Sequence, residues 1–168
     1  MGLKTAFIIN PKSGNGSTER EWPGIRQKVL RKLGPFEEHW TGKRGDATTL
    51  TRASLLRGAV RIVCIGGDGT LNEAVNGFMI QNGPVCPDAV LGFIPNGTGC
   101  DFARTLQIGK GIDETIDTIL RGHQEAVDLG RIRYCDEDGL PGIRYCLNVA
   151  SFGIGGEVDQ RVNRSSKI

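Results

Sequence analysis

The chain has 168 residues, 38% hydrophobic and 24% charged, with a formal net charge of +2. That length and apolar content suffice for one domain with a real core, while the near-even charge excludes the basic footprint of a nucleic-acid partner. No run approaches the roughly 18 apolar residues of a membrane span, so no transmembrane segment is expected.

Residues 5–9 (TAFII) read as a first strand, followed by the turn-rich NPKSGNGS. Residues 18–33 carry Ile25, Val29 and Leu33 at helical spacing, and Gly34-Pro35 ends the helix. Residues 36–40 form a short strand candidate. Asp46 is placed to cap a helix through Leu56, with Leu50 and Ala53 at helical spacing. RIVCI, residues 61–65, is a continuous apolar strand of the kind buried on both faces of a parallel sheet.

After a glycine turn, residues 70–79 read as a helix and residues 89–94 (AVLGFI) as another buried strand. A short helix over 101–106 and a longer one over 112–120 follow, the latter with Ile112, Ile116, Ile119 and Leu120 inward. Residues 125–133 and 143–150 read as strands, and alternation in the second predicts antiparallel sheet late in the chain. The fold expected is α/β: an open, mostly parallel sheet with helices on both faces, occupying the first ~125 residues.

In such sheets ligands bind outside the carboxyl ends of the strands. Three glycine-rich turns, NPKSGNG, IGGDGT and IPNGTG, all fall there. The chain's 25 glycines are about double the average share. Glycines at a strand-to-helix turn can present several amide N–H groups together, an anion nest that adds to the helix dipole. There is no Walker A sequence, and Asn72 stands where a dinucleotide fingerprint wants glycine. Ordinary tight turns would explain any one of the three by itself, but not their convergence on one edge.

Asp68 inside such a turn repels a bare phosphate. It can act through a shared Mg²⁺ or water network, it can cap the following helix, or it can orient an incoming hydroxyl. Asp101 and Asp128 are further acids near the same edge. Lys12 reads as solvated, and Arg52, Arg57 and Arg104 read as residues of solvated helix faces, with contact to a ligand head group as the alternative. His39 and His123 lack ligand spacing for zinc. Cys64, Cys86, Cys100, Cys135 and Cys146 are scattered without a CxxC pair, which predicts reduced thiols in a cytosolic protein. The opening MGLKTAFIIN fits neither a signal peptide nor a myristoylation site.

NPKSG (10–14), TGKRGDA (41–47), GGDGTLNEAVNG (66–77) and PNGTGCDFAR (95–104), in this order and spacing, closely resemble the catalytic domain of the diacylglycerol kinase family. That family includes bacterial lipid kinases and sphingosine kinases and is distantly related to NAD kinases and phosphofructokinases. The resemblance implies ATP-dependent phosphorylation of a lipid hydroxyl, such as that of diacylglycerol, at the inner face of the membrane by a cytoplasmic protein. It implies ATP and Mg²⁺ as cofactors. By position, Asn10, Pro11, Lys12, Ser13 and Gly14 are similar to a nucleotide-contacting loop, and Thr41 to a contact near adenine. Gly66, Gly67, Asp68, Gly69, Thr70, Leu71, Asn72 and Glu73 match the phosphate-binding segment, and Thr98 a further ATP contact. Asp68, Asp101 and Asp128 match acids of a water and Mg²⁺ network, with Asp68 the catalytic candidate.

Two departures bear on the expectation. Cys100 replaces an Asn of the family pattern, and LNVASFGIGGEVDQRVN (147–163) resembles only the opening of the β-rich second domain. The expected organisation is an ATP-binding α/β domain over 1–127 and the beginning of the second domain over 128–168. The general base and most of the lipid site are then expected beyond Ile168, with little or no turnover by this chain alone. The alternatives are an NAD kinase-like enzyme and a non-catalytic ATP-binding module. An open sheet edge would invite self-association into a homo-oligomer.

Overall fold

Two runs of mostly β-branched and aromatic residues form the centre of the molecule, β1 (Thr5–Ile9) and β3 (Arg61–Gly66), buried along almost their whole length. The computed structural model, which describes residues 4–80, 83–97, 99–109, 111–136 and 138–150, pairs them in a four-stranded parallel sheet. Its order is β2-β1-β3-β6, with β2 (Glu37–Trp40) and β6 (Val90–Pro95) outermost. The register sets Ile9 beside Trp40 and Ile65, and Gly66 beside Pro95. All four strands therefore finish at one level, and the loops that leave them share one edge.

Alternation along β1 divides the core. Phe7 and Ile9 point to one face, where α1 (Ser13–Leu33) contributes Trp22, Ile25 and Val29 and α5 (Ile112–Arg121) contributes Ile116. Ala6 and Ile8 point to the other, against Ala47 and Leu55 of α2 (Asp46–Leu56). Beside α2 on that face, α3 (Asp68–Phe78) and α4 (Asp101–Thr105) cover Cys64 and Phe93 with Leu71, Ala74, Phe102 and Ala103. Helices on both faces of a parallel sheet match the expectation.

The differences are local. Residues 14–16 have φ of 58°, 56° and 81°, so regular α1 begins close to the predicted Thr18. A two-residue ladder, β4 (Met79–Ile80) with β5 (Gly83–Pro84), is too short to leave a periodicity in sequence. The strand expected over 125–133 is shifted toward the C-terminus, to β7 (Gly130–Cys135), and that over 143–150 toward the N-terminus, to β8 (Pro141–Cys146). The two form a separate antiparallel hairpin, the late change of sheet type that the alternation predicts. Asp46 does not cap α2. Gly45 holds the cap position at φ 89°, and Asp46, already inside the helix, turns its carboxylate back to the preceding loop.

The hairpin is held to the sheet domain by α3. Asn76 Nδ2 donates to Tyr145 O and Asn76 Oδ1 accepts from Tyr145 N, both at 2.8 Å, and Asn72 Oδ1 accepts from Leu147 N at 3.2 Å. Two amides one turn apart thus take the part of a neighbouring strand.

Candidate functional site

The loops at the carboxyl edge are stitched together by a small set of polar side chains. Asn10 N donates to Ile65 O at 3.0 Å, its Nδ2 donates to Thr70 Oγ1 at 2.8 Å, and its Oδ1 accepts from Lys12 N at 3.0 Å. The loop after β1 is thereby fixed to the start of α3. Asn96 performs the same task from β6: its N–H donates to Gly66 O at 2.8 Å, and its Nδ2 donates to Thr18 Oγ1 at 2.7 Å and Ser17 Oγ at 3.0 Å. Thr18 is fully buried and shares a 2.5 Å hydrogen bond with Ser13 Oγ, which also donates to Asn10 O.

Two glycines make this convergence possible. A Cβ on Gly97 would lie 2.7 Å from Gly67 Cα, so the turns after β3 and β6 touch backbone to backbone. Gly14, at φ 58°, would drive a Cβ to 2.4 Å from Ser17 Oγ and 2.6 Å from Asn96 Oδ1.

Between the loops lies a cleft of about 540 Å³. Nine of the residues singled out by sequence line it: Asn10, Lys12, Ser13 and Gly14 from the first loop, Thr41 after β2, and Gly67, Gly69, Thr70 and Glu73 around the start of α3. Asn15, Gly42, Lys43, Arg44 and Gly97 line it as well and were missed. The Lys43-Arg44 pair directly after a strand end was the available signal. Lys12, Lys43 and Arg44 make no ion pair with a described residue. Against them the cleft presents, among the described residues, the single carboxylate of Glu73. Three such cations and several glycine amides around one acid suit a polyanion.

Other expected residues stand elsewhere. Leu71 is 1% exposed, within the core. Asn72 faces β8, and Gly66 is buried against Thr70, whose Oγ1 would lie 2.7 Å from a Cβ added there. Pro11 sits in the turn beyond β1. Thr98 lies outside the described residues.

Asp68 begins α3 without capping it. Its carboxylate reaches across to α4, accepting from Asp101 N at 3.0 Å and Phe102 N at 3.3 Å. It is a helix cap, but for a different helix from the one expected. Asp101 pairs with Arg104 Nη1 at 3.2 Å, and Asp128 is exposed in the irregular stretch before β7. Among the described residues no three acidic, histidine or cysteine side chains gather closely enough to share a cation. Asp68, Asp101 and Asp128 therefore form no cluster of direct ligands, although Asp68 Oδ2 and Asp101 Oδ2 both stand within 4 Å of a Cβ added at Gly99.

Cys100 precedes α4 at φ 50°, ψ 44° and donates its thiol to Gly97 O at 3.4 Å. Burial pushes the thiol's pKa up, and the Asp68 charge adds to this. A left-handed conformation disfavours most side chains but suits Asn, which gives a physical reason for Asn in the resembled pattern. Cys100→Asn is expected to stabilise the chain by about 1 kcal/mol, read as a rise in Tm of about 2–4 °C. An unchanged or lowered Tm would contradict the strain.

Asp46 orders the cationic loop by accepting at one oxygen from Gly42 N at 2.8 Å and Lys43 N at 2.9 Å. These amides, Gly42 first, hold its carboxyl below its ordinary value of 3.8. A depressed value in the folded chain means that the contribution is complete above 3.8 and lost as the pH falls through the lower folded value. Urea unfolding of the parent and Asp46→Ala between about pH 6 and pH 2 should show the two stabilities converging only at the acid end. A gap that is constant across that range would refute the assignment.

The family model described as diacylglycerol kinase catalytic domain matches residues 4–132. A diacylglycerol kinase of Staphylococcus saprophyticus is 36% identical over 160 residues, covering 95% of this chain and 47% of that protein. One from Staphylococcus carnosus is 33% identical over 167 residues, covering 99% and 50%. A solved structure of a diacylglycerol kinase from Bacillus anthracis superposes with a TM-score of 0.65 at 30% identity, covering 76% of this chain and 45% of that one. The chain thus spans about half the length of the curated relatives it matches.

Proposed function

This chain belongs to the diacylglycerol kinase catalytic domain family, and from that premise we propose that its cleft binds ATP as the phosphoryl-donor site of a lipid kinase. The observation that carries the reading is the cleft itself, where Lys12, Lys43 and Arg44 make no close ion pair with a described residue, beside the glycine turns. Lys and Arg there neutralise the polyphosphate, and the loop amides donate to its oxygens without moving. Thr41 and Gly42, at the far side, would meet the nucleoside.

Mg²⁺ is normally held by one or two carboxylates together with substrate phosphates and water. Glu73 supplies one such carboxylate within the cleft, so the residues present fit an ion bridged to the nucleotide. The ion would neutralise charge on the phosphates. Asp68 serves the site by fixing the start of α4 against the β3 turn.

The acceptor in this reading is a lipid hydroxyl such as that of diacylglycerol, met at the inner face of the membrane by a cytoplasmic protein. Among the described residues no helix is long and apolar enough to cross a bilayer, in keeping with an approach from one side. In-line transfer needs the acceptor held against the γ-phosphate. The change from parallel sheet to the β7–β8 hairpin supports a division near Asp128, with a second, β-rich unit beginning there and contributing to the acceptor site.

Thermal unfolding with millimolar ATP, with and without Mg²⁺, and with NAD as competitor, tests the donor site. A ligand at a hundred times its Kd stabilises by about 2.7 kcal/mol, or several degrees for a domain of this size. The expected result is a shift with ATP that grows with Mg²⁺. Absence of any shift, or a larger one with NAD, would remove the reading.

A further inference from the structure

One helical turn beyond Glu73, a second cavity of about 270 Å³ lies between α2, the end of α3 and β8. Thr48, Arg52, Asn76, Met79, Ile80 and Ile143 surround it, and it shares no residue with the first cleft. Arg52 does not belong to a solvated helix face, as its sequence context suggested. Its guanidinium is half-buried, and Nη2 donates to Asn76 O and Met79 O at 2.8 Å each, closing carbonyls at the end of α3.

That contact occupies one of the three guanidinium nitrogens. Nε is buried without a partner among the described residues, Nη1 makes no hydrogen bond to a described residue, and Arg52 lines the cavity. No carboxylate among the described residues pairs with this cation. Capping α3 accounts for Nη2 alone. Meanwhile Ile80 and Ile143, on the cavity's rim, are 44% and 43% exposed, with Met79 beside them. A cation lacking its anion, bordered by aliphatic side chains in water, is complementary to an anionic head that carries an aliphatic chain.

We propose that this cavity binds an acidic amphiphile, with its phosphate or carboxylate head on Arg52 and the first part of its chain across Ile80, Ile143 and Met79. The size of the cavity suits a head group and the start of a chain rather than a whole two-chain lipid. The site is separate from the nucleotide reading of the first cleft and does not depend on it. Ligand there would bridge α2, α3 and the β8 strand, which Asn76 already joins through Tyr145.

Calorimetric titration of the chain with monomeric octyl phosphate and octanoate tests this, with inorganic phosphate and octanol as probes lacking the chain or the charge. Binding of at least one acidic amphiphile is expected, with inorganic phosphate and octanol each about tenfold or more weaker. The tighter of the two amphiphiles identifies the head. Arg52→Met should weaken that binding by about tenfold to a hundredfold. Because Arg52 also holds the end of α3, Ile143→Glu serves as a second variant. It lies on an exposed strand position and sets a like charge at the rim, so it should abolish binding with no change in Tm. Equal affinity for inorganic phosphate, retention of binding in both variants, or displacement of the amphiphile by ATP would overturn the proposal.

Discussion

Gly97→Ala is expected to open the cleft. The new Cβ would sit 2.7 Å from Gly67 Cα, and backbone cannot rotate away as a side chain can. The turns after β3 and β6 would have to separate, yet Asn96 N to Gly66 O ties them one residue earlier. Overpacking of this kind costs about 1–3 kcal/mol, and the displaced Gly67 amide leaves the polyanion-facing set. Tm should fall by about 2–10 °C, and ATP affinity by more than tenfold. Gly24→Ala provides the control: that position is inside α1 with nothing within 4 Å of the added methyl, so the chain should gain about 0.5–1 kcal/mol. If the two variants behave alike, contact between the turns is not what demands glycine at position 97.

Asn96 is the other position where a single change should be costly. Its amide joins the β6 turn to Ser17 and Thr18, and Thr18 has no exposed surface. Asn96→Ala strips a hydrogen-bond partner from a buried hydroxyl, at about 1–3 kcal/mol, and releases the Ser13–Thr18 segment that shapes the cleft. Asn96→Asp separates position from charge. The carboxylate can still accept from Ser17 Oγ, which lies 3.3 Å from Asn96 Oδ1, so unfolding should move less than in the alanine variant. A negative charge beside the polyanion should still weaken ATP binding by about tenfold. Paired urea unfolding and ATP titration of both variants check this. If the Asn96→Asp variant binds ATP as tightly as the parent, the cleft does not hold the polyphosphate near this turn.

These residues also lie beyond what local spacing encodes. PNGTG reads as a turn, yet nothing in its spacing says that Asn96 reaches back 78 residues to Thr18. Asp68 presents three readings in sequence, and its partners prove to be the amides of a helix 33 and 34 residues on. Asp46 reads as a cap because it precedes an apolar-periodic stretch. A shift of one residue in the helix start changes what its carboxylate can reach. Lys43 and Arg44 stand in TGKRGDA without declaring a role, since a loop cation is solvated unless something brings it to a shared cavity.

Leu120, expected inward, is 37% exposed, and α2 buries Ala47, Thr51, Ser54 and Leu55 rather than Leu50 and Ala53. The sequence by itself determined the alternation of strands and helices, the glycine turns at one edge and the change of sheet type after α5. Each is written in neighbouring residues, because the 2.0 and 3.6 periodicities and the demands of a tight turn act over a few positions. Only the tertiary structure decided which polar groups meet. The parallel register brings four strand ends to one level, so residues distant in sequence become hydrogen-bond partners. The pairing of Asn96 with Thr18, of Asp68 with α4, and the half-buried guanidinium of Arg52 all follow from that register and from the packing of α2 against α3. Such partners are set by directions in space, and local spacing carries no record of them.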